Sequence, residues 1–100
     1  MKKIFISQPM RGKTDDTIKA EREKAIIDAM DKLDEDDVEV IDSFFEKAPV
    51  DASPLWFLSK SIMLLSKADA AYFVDGWKDA RGCRIENACA HEYGIPIIYE

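Results

Sequence analysis

One glutamate, Glu86, is a candidate for chemistry because it follows a polar loop and falls in the first turn of a predicted helix. A carboxylate near a helix N-terminus is favoured in its charged form, by about 0.3–1 kcal/mol when it is exposed. If it is only weakly perturbed, its pKa stays at about 4–5. An ionised and positioned carboxylate is the group that attacks a sugar carbon in glycosyl transfer. The competing interpretation, which the pattern by itself favours, is a glutamate that only complements the helix dipole.

The loop before this glutamate carries acidic and aromatic side chains. Asp75 and Asp79 are acids that we expect at the same rim as Glu86, although Asp75–Gly76 is also typical of an ordinary turn. Trp77 either stacks on a base or shields the rim. These positions make Asp75, Trp77 and Asp79 candidates for binding a ligand at that rim.

A second candidate segment, residues 7–13, leads from the first predicted strand into a helix. Arg11, Lys13, the Gly12 backbone and a helix N-terminus together suit an anion such as a phosphate. The segment is neither a Walker loop nor a Gly-x-Gly-x-x-Gly fingerprint, so the pattern is not specific. An ordinary strand-to-helix turn with exposed basic residues is an equally open interpretation.

The sequence offers little for metal or cofactor chemistry. Cys83 and Cys89 are six positions apart without a Cys-x-x-Cys spacing, and His91 is the only histidine. These residues do not make a zinc set or a Ser-His-Asp triad. We therefore expect no metal and no cofactor, and we interpret the cysteines as reduced thiols of a cytoplasmic protein.

The length and the net charge of the chain argue against several classes of protein. The chain of 100 residues predicts a single domain over residues 1–100. Its net charge of −6 argues against nucleic acid and against anionic lipid as partners. No apolar stretch reaches the ~18 residues of a membrane span.

The candidate residues lie between elements that alternate along the chain. The pattern predicts strands at 2–7, 38–42, 69–75 and 95–99, and helices at about 14–33, from Ser53–Pro54 onwards, and at 82–93. Such alternation indicates a parallel sheet covered by helices on both faces. Ligands bind beyond the carboxyl ends of such strands. The loops at 8–13 and 75–82 are therefore predicted to lie at one rim.

Three stretches together resemble the nucleoside 2-deoxyribosyltransferase superfamily: KIFISQPMRG at 3–12, Ala68–Asp69, and G-x-x-x-E-x-A-x-A-x-x-x-G-x-P at 82–96. The resemblance is closer to a short, DUF4406-like bacterial and phage branch of uncharacterised function, and covers nearly the whole chain. It implies a Rossmann-like or flavodoxin-like three-layer α/β fold with a parallel sheet of four strands, or five. It also implies that Glu86 is a nucleophile and that Arg11–Gly12 helps to hold a 5′-phosphate.

Several positions depart from the superfamily pattern. Ser61 stands where an aspartate is usual, and Ala80 stands where an Asp or Ser is usual. Ala88 replaces a common glycine, and Phe5 lacks the hydroxyl of the usual first-strand aromatic. The aspartate missing at position 61 is expected to help with sugar orientation and base protonation. Its absence bears on catalysis more than on binding.

The resemblance implies hydrolysis or transfer at the N-glycosidic bond of a deoxynucleoside or its 5′-monophosphate, in a homo-oligomer. The alternatives are an inactive nucleotide-binding or sensor module, or a small oligomeric accessory protein. Phe44, Phe45, Trp56 and Phe57 are either an interface of that accessory protein or part of the core. With Glu86 as the catalytic residue, the implied substrate-binding residues are Phe5, Ser7, Gln8, Met10, Arg11, Gly12, Ser61, Asp75, Trp77, Asp79 and Gly82.

Overall fold

The computed structural model describes residues 1–43 and 48–100. Its elements in chain order are β1 (Lys2–Ser7), α1 (Asp15–Leu33), β2 (Val38–Val40), α2 (Pro54–Leu65), β3 (Ala70–Phe73), a 3₁₀ turn (Trp77–Asp79), α3 (Arg81–Glu92) and β4 (Ile97–Tyr99). The strands of these described ranges form one sheet of four, all parallel, in the order β2-β1-β3-β4. The predicted α/β fold class, with a Rossmann-like or flavodoxin-like arrangement, is confirmed.

The two faces of the sheet are covered by different helices. Successive strand residues point to opposite faces. Alternate residues of β1 and β3, such as Ile4 and Tyr72, therefore pack with Ala25 and Ala29 of α1. The intervening residues pack on the other face, where Phe5, Ala71 and Phe73 meet Leu65 of α2 and Ala90 of α3.

The starts of α1 and α2 follow from their capping residues. Thr14 Oγ1 accepts a hydrogen bond from the backbone N–H of Thr17 at 3.2 Å, and Ser53 Oγ accepts from that of Trp56 at 3.1 Å. Both helices begin where the sequence predicts. The helix α3 begins after Ala80, which has no side chain that can cap it.

Some predicted boundaries are wrong. The 3₁₀ turn occupies residues predicted as a loop, and α3 begins at Arg81 instead of Gly82, so Glu86 lies in its second turn. The last three strands are shorter than predicted; β4 begins after Pro96, which has no N–H to donate to the ladder. Phe44 and Phe45, predicted in an interface or the core, lie outside the described residues.

Within the described ranges, no helix has both the length and the apolar character that crossing a membrane requires.

Candidate active site

An open cavity of about 930 Å³ lies beyond the carboxyl end of β1, beside the start of α3. Both predicted segments contribute to it, as expected for loops at one edge of a parallel sheet. The structure thus brings together most of the residues that the sequence analysis singled out. Those that border this cavity are Phe5, Ser7, Gln8, Met10, Arg11, Ser61, Asp79, Gly82 and Glu86.

Three predicted site residues do not border this cavity. Gly12 is exposed and has a φ of +78°, a conformation that suits glycine and that turns the loop towards α1. Asp75 and Trp77 border a separate cavity of about 780 Å³. There the Trp77 ring stacks on Tyr99, with their centroids 5.6 Å apart. The structure therefore does not bring Asp75 or Trp77 to the cavity of Glu86.

Glu86 is almost completely buried, with 7% of its surface exposed, and its two carboxyl oxygens differ in their surroundings. Ser7 Oγ donates a hydrogen bond to Glu86 Oε1 at 2.8 Å. Glu86 Oε2 has no hydrogen-bond partner among the described residues, and part of its surface is accessible to solvent. Because Glu86 borders the cavity, Oε2 is the oxygen available to a ligand.

The surroundings of Glu86 change the acidity of its carboxyl group. Burial raises the pKa of Glu86 to about 7, while the hydrogen bond from Ser7 acts in the opposite direction. The expectation of a pKa of about 4–5, favoured by the helix dipole, is therefore wrong. Glu86 lies in the second turn, and the dipole effect falls off beyond the first. Desolvation of the charge is the larger influence.

The pairing of Ser7 with Glu86 follows from the alternation of side chains along β1. Ser7 lies on the same face as Phe5, which packs against the layer of α2 and α3. Gln8 continues to the other side, where its Nε2 donates to the Ile18 carbonyl of α1 at 2.8 Å. The strand thus directs the serine hydroxyl towards α3.

Cys83 is a cavity residue that the sequence analysis did not assign to the site. It is buried, borders the cavity, and lies one helical turn before Glu86 on the same face of α3. Burial raises the pKa of its thiol, and the Ser7 hydroxyl lowers it. The three-residue spacing from Glu86 is the signal that would have identified it.

The cavity also carries more positive charge than the sequence analysis assigned to it. Arg11 borders it from the loop after β1, and Arg81 and Arg84 border it from α3. Lys13, predicted as part of an anion site, instead forms an ion pair with Glu21 at 2.9 Å. The cationic side chains that border this cavity are therefore arginines, of which only Arg11 had been predicted.

A second opening, of about 710 Å³, continues from the first between α2 and α3. Phe57, Ser61, Arg81, Gly82 and Glu86 border both spaces, and the rest of the wall of the second is largely apolar. It includes Pro54, Leu55, Leu58 and Ile85. Glu86 therefore stands between a space bordered by three arginines and a space whose wall is largely apolar apart from Arg81.

The described side chains do not assemble a metal centre. In residues 1–43 and 48–100, no three or more His, Cys, Asp or Glu side chains converge in a way that could hold a metal ion. Cys83 and Cys89 are both free thiols. The polar side chains that border the cavity of Glu86 carry hydroxyl, amide, guanidinium, carboxyl and thiol groups.

Comparison with known proteins places the chain in a family but does not assign it an activity. No curated protein matches it. A family model described as "Domain of unknown function (DUF4406)" matches residues 2–99. Because this match covers nearly the whole chain, the protein belongs to the DUF4406 family.

Proposed function

We propose that this protein cleaves the N-glycosidic bond of a deoxynucleoside 5′-monophosphate, with Glu86 as the nucleophile. The observation that carries the proposal is the geometry of Glu86: Ser7 holds Oε1, Oε2 has no partner among the described residues, and the residue borders a ligand-sized cavity. The resemblance to nucleoside 2-deoxyribosyltransferases supports it. Nucleophilic carboxylates in glycosyl transfer divide one difficult displacement into two easier ones.

In the first step, Glu86 Oε2 forms a bond to C1′ of the deoxyribose, and the bond between C1′ and the base nitrogen breaks. The electron pair stays on the base, which takes up a proton from water or from a loop acid. Asp79 is the acid at this cavity. In the second step, a water oxygen bonds to C1′, the bond from C1′ to Glu86 Oε2 breaks, and the proton of the water passes to the group that protonated the base. If the nitrogen of a second base attacks C1′ instead, the same bond breaks and the reaction is a transfer.

The arginines at the cavity suit the phosphate of such a substrate. Arg11 lies in the loop between β1 and α1, and it is exposed at the cavity wall. A guanidinium can bind two phosphate oxygens at once, which fixes the orientation of the ligand as well as adding affinity. The phosphate would thereby direct C1′ towards Glu86.

We expect Arg11→Ala to weaken the binding of a deoxynucleoside 5′-monophosphate while hardly affecting the bare deoxynucleoside. Loss of a charge-assisted hydrogen bond costs about 1.5–3 kcal/mol, or roughly 10–100-fold in Kd. Titration calorimetry with both ligands measures the difference, and Lys67→Ala, which removes an exposed charge away from the cavity, is the control. Equal weakening of both ligands would show that Arg11 does not contact the phosphate.

The proposal is tested by incubating the protein with the four deoxynucleosides and their 5′-monophosphates. We expect free base to appear from at least one monophosphate, faster than from the matching deoxynucleoside. Chromatography of the products separates the base from the sugar phosphate. If a second base is added and a new nucleotide forms, the reaction is a transfer. If no base appears from any of these compounds, cleavage of deoxynucleosides and of their 5′-monophosphates is ruled out as the function.

A second candidate function, nucleotide binding without turnover, is favoured by Ser61. This residue borders the cavity beside Glu86, where a carboxylate is usual in the proteins that the chain resembles. A serine hydroxyl cannot supply the proton to a leaving base as readily as a carboxylic acid does. Nucleotide binding without release of base, together with gain of activity in Ser61→Asp, would favour this function.

A further inference from the structure

We propose that the cavity has a position for a second phosphate, so that it binds a deoxynucleoside 5′-diphosphate more tightly than the monophosphate. In this arrangement Arg11 holds one phosphate, and Arg81 with Arg84 holds the other. The inference rests on the proposed function, since it names the substrate class of the same cavity. It goes beyond a monophosphate because arginines from two separate segments of the chain border the cavity.

The three arginines come from distant parts of the chain. Arg11 follows β1, whereas Arg81 and Arg84 belong to the first turn of α3, and all three border the same space. Arg81 and Arg84 are three residues apart, so they are neighbours on one side of the helix. That pair can hold a single phosphate, which leaves Arg11, in the loop after β1, for a second one.

The wall at α3 is equipped for an anion in other ways. Arg84 Nη1 donates a hydrogen bond to the Lys78 carbonyl at 2.8 Å, which fixes its guanidinium and leaves its other N–H donors available. Ala80 at the N-cap has no side chain to accept from the first N–H groups of the helix. Gly82 and Cys83, which carry two of those groups, border the cavity.

The local charge differs from that of the chain as a whole. The net charge is −6, yet three arginines border the cavity against two acids, Asp79 and Glu86. None of these arginines forms an ion pair with a described residue. A volume of about 930 Å³ is at the upper end of ordinary ligand pockets, and it accommodates a nucleotide with a pyrophosphate group.

The position of Glu86 gives the ligand its direction. The side chain is more than nine-tenths buried, its Oε2 has no partner among the described residues, and the residue borders the same space as the arginines. A ligand with its phosphates on the arginines can extend its sugar towards this oxygen. The apolar space between α2 and α3 then receives the base.

The test compares Kd values for each deoxynucleoside 5′-monophosphate and 5′-diphosphate by titration calorimetry, together with inorganic phosphate and pyrophosphate. We expect the diphosphate to bind at least about 10-fold more tightly than the monophosphate of the same base. We expect the double variant Arg81→Ala, Arg84→Ala to lose most of that difference while keeping its affinity for the monophosphate. Pyrophosphate should compete with the nucleotides more strongly than phosphate.

Two controls separate a specific site from a general effect of charge. Lys67→Ala removes an exposed positive charge outside the cavity and should leave the preference for the diphosphate unchanged. Circular dichroism verifies the folding of each variant, and Arg81→Ala alone provides a milder change if the double variant does not fold. Equal affinity for mono- and diphosphate, or equal loss of both in the double variant, would overturn the inference.

The outcomes also distinguish this inference from the proposed function. Release of base from a monophosphate, without preference for the diphosphate, would retain glycosidic cleavage and overturn the second phosphate position. Preferential binding of the diphosphate, without release of base from any compound, would retain the phosphate position and overturn cleavage. The variant Glu86→Gln prevents consumption of the ligand where turnover would disturb the binding measurement.

Discussion

Replacement of Glu86 by glutamine is expected to reduce the release of base by at least about 1,000-fold while preserving nucleotide binding. The amide is nearly isosteric with the carboxyl group, and its oxygen can still accept the hydrogen bond from Ser7. It is a far poorer nucleophile towards C1′, because it lacks the negative charge. Initial rates of base release and calorimetric Kd values measure the two quantities separately.

The pH dependence of the wild-type rate provides a second measure of the same residue. Because burial raises the pKa of Glu86 to about 7, the ionised nucleophile is present mainly above that pH. We therefore expect kcat/KM to fall as the pH is lowered through about 7, instead of through 4–5. Glu92→Gln, on the exposed side of the same helix, is the matched control and should retain the full rate. A Glu86→Gln variant that keeps its rate would remove Glu86 from the reaction.

The same substitution is expected to stabilise the folded protein at alkaline pH. The pKa of Glu86 is about 7 in the folded state, against an ordinary value of 4.5. Folding therefore favours the protonated form. Its contribution to stability is fully present below pH 4.5, and it is lost as the pH rises through about 7. Glutamine does not ionise and shows no such loss. The difference at pH 8 corresponds to about 3 kcal/mol at most.

Chemical denaturation of wild type and Glu86→Gln at pH 4.5 and pH 8 measures this effect. We expect similar free energies of unfolding at pH 4.5, and a clearly more stable variant at pH 8. Asp28 and Glu100, whose pKa values are lowered, are present in both proteins. Their contributions to the pH dependence of stability therefore cancel in the comparison. The control Glu92→Gln should show no comparable gain. If the variant and the wild type differ in free energy of unfolding by the same amount at both pH values, the raised pKa of Glu86 is contradicted.

Several features of the fold were predictable because they depend on residues close together in the chain. The alternation of apolar strands with amphipathic helices indicates a parallel sheet with right-handed crossovers. Thr14 and Ser53 cap their helices through backbone groups three residues away. The ends of β2, β3 and β4 were predicted less well, since they depend on where neighbouring strands stop pairing.

The candidate site was predictable only in part. Parallel strands end at one edge, so the loop at Arg11 and the segment at Glu86 were expected to meet, and they border one cavity. The same argument placed Trp77 there too. The 3₁₀ turn instead packs its ring against Tyr99, which belongs to β4, on the side of the separate cavity. A loop position in the sequence does not reveal to which side of the loop a ring is directed.

The sequence by itself determined the order of the elements, the start of two helices and the two segments that meet at the cavity. These depend on periodicity, capping and the common direction of parallel strands. Only the tertiary structure decided that Ser7 and Glu86, which are 79 positions apart, share a hydrogen bond, and that burial raises the pKa of this carboxyl. Desolvation is a property of everything packed around a group, and most of those neighbours are distant in the chain.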